Sequence, residues 1–169
     1  MKKFELTNEF VTNMFGTKLF RIRALVEFGD VEAGELGGYV EKESNLGHDD
    51  NAWVYDNAWV YGNARVYGDA QVSGDARVCG DARVCGNGDY AYAHGFGSVN
   101  RTTTFFRLKD GGVGVRCGCF YGTLAQFRDK IRETHGETKK AQEYLMLADL
   151  MELRFEEDEN EVGNRKYVE

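Results

Sequence analysis

Three histidines and four cysteines are the side chains in this chain best suited to chemistry. His48 and His94 fall in loop-like positions, where an imidazole can serve as a general base if it comes within hydrogen-bond reach of an acceptor hydroxyl or amine. These two are the only catalytic candidates, and no complete catalytic set accompanies either. His135 precedes Gly136 at the end of a helical pattern, where a partial positive charge suits the helix dipole, so its role reads as structural. Cys79, Cys85, Cys117 and Cys119 are separated by six, thirty-two and two residues. No CxxC pair occurs, so neither a zinc site nor a dithiol redox site is expected, and no metal is assigned. The small-polar stretch with Ser98, Asn100, Arg101, Thr102 and Thr103 can either cradle an anion through its amides and hydroxyls or act as a hinge.

A second group consists of exposed-type aromatics and arginines. Trp53, Tyr55, Trp59, Tyr61 and Tyr67 recur with Arg65, Arg77 and Arg83 on alternate residues of the central segment. These types anchor protein interfaces, and a Trp59–Arg77 pair one turn of the repeat apart suits a cation–π contact.

What must position them is an internal repeat. From Asn51 the chain reads NAWVYD, NAWVYG, NARVYG, DAQVSG, DARVCG, DARVCG. Residues two apart on a strand share a face, so each Ala and the Val two places on point inward together. Gly-Asn and Gly-Asp pairs supply the corners. Three strands and three corners close a triangular turn of eighteen residues, which stacks Val54 on Val72, Val60 on Val78 and Val66 on Val84. The expected fold is therefore mainly β: a left-handed parallel β-helix of hexapeptide repeats with an N-terminal strand cap and a small C-terminal ββαα module. Tyr90 and Phe96 keep the phase and are expected to plug the open end. Gly47 to Asp50 carries two extra residues that bulge from a corner.

The divisions expected are a cap at 1–34, the β-helix at 35–98, the ββαα module at 99–157 and an acidic tail at 158–169. In the cap, residues 18–28 read as one strand. In the module, a strand at 102–108, an Asp-Gly turn and a strand at 113–120 precede two helices near 123–134 and 139–155. Thr123 reads as an N-cap. On the second helix Tyr144, Leu145, Ala148, Met151 and Phe155 form one stripe, with Leu147 and Leu150 beside it, so two faces are expected to be covered.

The net charge of −7 over 169 residues argues against a general nucleic-acid binder, which needs a basic face. No apolar run is long enough to span a membrane, and the N-terminus turns polar too soon for a secretory signal. A cytoplasmic protein with reduced thiols is expected.

The block NAWVYGNARVYGDAQVSGDARV resembles the hexapeptide-repeat proteins of the trimeric acyltransferase superfamily. RIRALVEFGDVEAGELGGYVE followed by such repeats resembles short phage and prophage proteins labelled transferases or polymer-forming proteins. The stretch from Gly97 to Phe106, with Cys117 to Phe120, is similar to their C-terminal module. The resemblance implies side-by-side self-association as a trimer or dimer. With the absent catalytic set, the aromatic side face and the negative charge, the expectation is a non-enzymatic phage or prophage accessory protein, without a cofactor, whose C-terminal module binds a host protein or small ligand. An acidic protein of this kind can imitate nucleic acid or block a basic groove on a host defence enzyme. The alternatives are an acyltransferase using acetyl-CoA, with His48 or His94 as base, and a structural virion component.

Overall fold

The computed structural model describes residues 2–97 and 101–156, so Ser98, Asn100 and the acidic tail at 158–169 lie outside the described residues. The chain opens with an antiparallel hairpin of β1 (Phe4–Thr12) and β2 (Lys18–Ala24). The Asn13 side chain holds its turn by accepting the Phe15 and Thr17 N–H groups at 3.0 Å each. β2 pairs antiparallel with β3 (Leu36–Val40).

Six two-residue strands follow: β4 (Trp53–Val54), β5 (Trp59–Val60), β6 (Arg65–Val66), β7 (Gln71–Val72), β8 (Arg77–Val78) and β9 (Arg83–Val84). They pair in parallel eighteen residues apart, setting Val54 on Val72, Val60 on Val78 and Val66 on Val84. These six valines, and the alanines at 52, 58, 64, 70, 76 and 82, are buried. Each valine contributes about 1.5–3 kcal/mol. Gly62, Gly68, Gly74 and Gly80 turn four corners at φ between 63° and 67°. Asp56 takes the equivalent corner at φ 55°, and its carboxylate accepts the Gly74 N–H at 2.9 Å.

The chain then forms a four-stranded antiparallel sheet: β10 (Tyr90–Phe96), β11 (Arg101–Arg107), β12 (Val113–Cys117) and β13 (Phe120–Thr123). α1 (Leu124–His135) and α2 (Lys139–Phe155) close the described chain. Thr123 accepts the Gln126 N–H at 3.2 Å while Gln126 accepts the Thr123 N–H at 2.9 Å, a reciprocal capping box. Alternation along β11 splits the interior in two. Phe106 joins the core of the repeat, whereas Phe105 packs with Phe127, Ile131, Tyr144 and Phe155 under the helices.

Stacked strands leave an unpaired backbone edge at each end, and both edges are covered. At the leading end Tyr39 and Glu41 donate to Ala58 and Val60, and Gly47 donates to Val66. The Asn45 side-chain amide donates to Gly62 O and Ala64 O, and the Lys3 ammonium donates to Ala52 O at 2.6 Å. At the trailing end the Asn87 side chain accepts the Gln71 N–H at 2.8 Å. Tyr90 Oη accepts the Ser73 N–H at 3.3 Å and donates to Gln71 O. Thr104 Oγ1 accepts the Arg77 N–H at 2.9 Å, and Asp89 accepts the Cys85 N–H at 3.0 Å.

The architecture corrects the mainly β, left-handed parallel β-helix with a strand cap and ββαα module. The largest sheet is mixed, in the order β1-β2-β3-β5-β8. Parallel pairing outside isolated bridges is confined to β3–β5 and to two-residue strands, and the remaining strands are antiparallel. The N-terminal segment is a hairpin, because β1 pairs with β2 along its length. Tyr90 and Phe96 belong to β10, which pairs antiparallel with β11, so the C-terminal unit has four strands before its two helices. The six-residue phase of Tyr90 and Phe96 is blind to this, since a strand of either sheet presents alternate residues inward.

Candidate functional site

The register of the mixed sheet lines up Arg21, Tyr39, Trp59 and Arg77 in one row across β2, β3, β5 and β8. A guanidinium closes each end. Arg21 Cζ lies 4.4 Å from the Tyr39 ring centroid, and Arg77 Cζ lies 4.0 Å from that of Trp59. Arg21 also donates to Gly37 O at 2.7 Å and pairs with Glu9 at 3.3 Å. Arg77 donates to the carbonyls of Asn57, Asp75 and Ala76. Burial pulls the Arg77 pKa below its usual value, with Asp75 opposing. Both arginines are thus part of the scaffold as well as its surface.

The other aromatic candidates are placed unequally. Trp53 is fully buried between Phe4 and Phe28, with ring centroids at 6.3 and 5.3 Å, and its indole N–H is buried without a hydrogen-bond partner. Tyr61 is buried beside Trp59, and burial pushes its phenol above the usual range. Burial also pushes the neighbouring Cys79 thiol up to about 11, against the opposing effects of Tyr61 and Arg116. That thiol is protonated at neutral pH and is no nucleophile. Tyr55 and Tyr67 are half-buried. Arg65 and Arg83 stand directly opposite one another on β6 and β9.

The three histidines have different surroundings. His48 stacks on Phe4 with centroids 4.3 Å apart and accepts the Lys3 N–H at 3.1 Å. His94 Nδ1 lies 2.8 Å from Thr102 Oγ1, and His135 stacks on Tyr144 at 5.9 Å. Thr103 is buried and donates to Cys117 Sγ at 3.2 Å. Arg101 lines a cavity of about 200 Å³ with Cys117, Cys119, Lys130, His135 and Tyr144. Cys85 and Cys119 are exposed, and Cys79 and Cys117 are buried. Among the described residues no three His, Cys, Asp or Glu side chains converge on a metal-binding position.

α2 carries an exposed apolar stripe that the residue types alone did not single out. α2 buries Ala141, Tyr144, Ala148, Met151 and Phe155, and on its opposite side it exposes Met146, Leu150 and Leu153. Leu153 also lines an open groove of about 680 Å³ with Leu108, Val113, Leu124 and Phe155. The expectation of two covered faces on this helix fails within one chain, because α1 and the sheet occupy one side only. The spacing of Met146, Leu150 and Leu153 at four and three residues is the signal that marks this second stripe. Among the described residues, no helix is long and apolar enough to cross a membrane.

No curated protein matches this sequence. Residues 58–74 and 70–88 match the family model described as the YdcK beta solenoid repeat, so the stacked part of the chain that carries Trp59, Arg65, Arg77 and Arg83 is similar to a β-solenoid repeat.

Proposed function

We propose that this chain is a non-enzymatic interaction protein that works as a symmetric dimer, with the outer face of α2 as the contact. The observation that carries the reading is the second apolar stripe, Met146, Leu150 and Leu153, which are 70%, 54% and 67% exposed. Contiguous apolar surface of this kind marks an interaction site. The charges beside it favour a second antiparallel copy. At 3.6 residues per turn Glu143 and Arg154 share one margin of the stripe. A twofold axis at the level of Ala148 and Asp149 sets Glu143 against the partner's Arg154, and the symmetry makes that pair twice. The resemblance to short phage and prophage proteins supports an accessory role in that setting, with the dimer offered to a host protein. The acyltransferase alternative rests on His48, which stacks on Phe4, and on exposed His94, whose Nδ1 bonds Thr102, with no further catalytic group singled out beside either.

Sedimentation over a concentration series tests this. The wild type is expected to dimerise, Leu150→Glu to stay monomeric with an unchanged circular dichroism spectrum, and Glu143→Arg to weaken the dimer until Arg154→Glu restores it. A wild type that remains monomeric at submillimolar concentration overturns the reading.

A further inference from the structure

A groove of about 350 Å³ runs along the stacking direction of the repeat, lined by Lys42, Asn63, Arg65, Asp81, Arg83 and Lys109 among others. Four of these are cations and one is a carboxylate, in a chain whose net charge is −7. Several cations elsewhere are matched. Lys2 pairs with Glu43, Lys3 with Asp50, Arg23 with Glu5, and Arg128 with Asp149 and Glu152. Among the described residues none of Lys42, Arg65, Arg83 and Lys109 makes an ion pair.

The fold also creates a repulsion here. Parallel pairing of β6 with β9 puts Arg65 directly opposite Arg83, and like charges so placed are destabilising. Arg83 is held in that position by bonds from Nη1 to Asn63 O at 2.8 Å and Ala82 O at 2.9 Å. Lys42 is drawn toward the same groove by the Asn63 side chain at 3.5 Å. Lys109 is anchored there through its backbone, which donates to Asp81 O at 2.9 Å.

We infer that this groove binds a small polyanion carrying linked phosphate groups, with Arg65 and Arg83 as its principal ligands. Neighbouring strands lie about 4.8 Å apart, so the two guanidinium groups are spaced to take oxygens of adjacent phosphates. Each planar fork can hold a phosphate in bidentate fashion, and the lysines add point charges at the two ends. No aromatic ring lines the groove, and Ala64 is its one apolar residue, so the recognised feature is charge and not a base or a ring. The anion relieves the Arg65–Arg83 repulsion, and among the described residues no carboxylate forms an ion pair with either arginine. No residue of α2 lines the groove, so this inference stands or falls independently of the dimer.

Inorganic tripolyphosphate titrated into the full chain by calorimetry, with orthophosphate and a single-stranded oligonucleotide in parallel, tests it. Tripolyphosphate is expected to bind at low salt and to weaken as salt rises. Arg65→Glu and Lys109→Glu should each lower its affinity by about tenfold or more, the loss of one charge-assisted contact together with an added repulsion. Arg132→Ala, an exposed cation on α1, should leave it unchanged. The inference is overturned if tripolyphosphate gives no heat, if Arg65→Glu binds as the wild type does, or if orthophosphate binds equally well. Tighter binding of the oligonucleotide through the same residues overturns the small-ligand assignment in favour of a nucleic-acid backbone.

Discussion

The Arg77 guanidinium lies 4.0 Å from the centre of the Trp59 ring, one turn of the repeat away, while its N–H groups bind three backbone carbonyls. Replacing either partner mixes the ring contact with other losses, so only a double-mutant cycle isolates it. Trp59→Leu with Arg77→Met should show a coupling of about 0.5–1 kcal/mol in urea denaturation. Additive single effects would mean that the stacking carries no energy and that the arginine is held by carbonyls alone.

The covered edges of the repeat are expected to be costly to expose. Tyr90→Phe removes one hydroxyl that serves both Ser73 N–H and Gln71 O, and Asn45→Ala removes the amide shared by Gly62 and Ala64. Each leaves backbone groups without partners and should lower stability by about 1–3 kcal/mol. Asn45 is fully buried, so its loss should exceed that of an exposed asparagine such as Asn8. Equal effects at Asn45 and Asn8 would show that water replaces the cap.

The corners make a paired prediction. A Cβ at Gly68 would stand 2.5 Å from Cys85 O, at a φ of 65°. Gly68→Ala should therefore cost more than the roughly 1–2 kcal/mol of a left-handed residue alone. Asp56→Gly should be close to neutral, because relief of its φ of 55° offsets the lost bond to Gly74. Thermal denaturation of the two variants decides this, and a neutral Gly68→Ala would contradict the packing of that corner.

Thiol chemistry should divide the cysteines two and two. Cys85 and Cys119 should react rapidly with a disulfide reagent in the native state, and Cys79 and Cys117 only on unfolding. The Cys79 thiol sits at about 11 in the fold against 9.0 unfolded. A raised folded value means that the native state keeps the proton longer. The contribution is therefore present below pH 9 and is lost as pH climbs toward 11. Over that window the wild type should lose about 2–3 kcal/mol more stability than Cys79→Ala. Parallel pH profiles of the two proteins would rule the effect out.

Local spacing alone determined a good deal of this protein. The valine and alanine phase of residues 51–86 predicts the eighteen-residue pairing of Val54 with Val72 and the proximity of Trp59 to Arg77, because a two-residue alternation and a glycine corner leave little freedom. The capping of α1 by Thr123 is equally local. What surrounds the repeat was decided by tertiary structure. The row from Arg21 to Arg77 needs β2 and β3 to join the sheet, and an exposed-type residue such as Trp53 becomes core once Phe4 and Phe28 cover it. Tyr90 and Phe96 continue the phase of the repeat yet pair in another sheet, since alternation specifies which face a residue shows and not which strand it meets. Lys42 and Lys109 lie far from Arg65 in sequence, and only the covering of both ends brings the four cations into one groove. Contacts within a turn of the repeat follow from the order of residues, whereas those between the repeat and its flanks depend on which backbone edge and which apolar face remain to be covered.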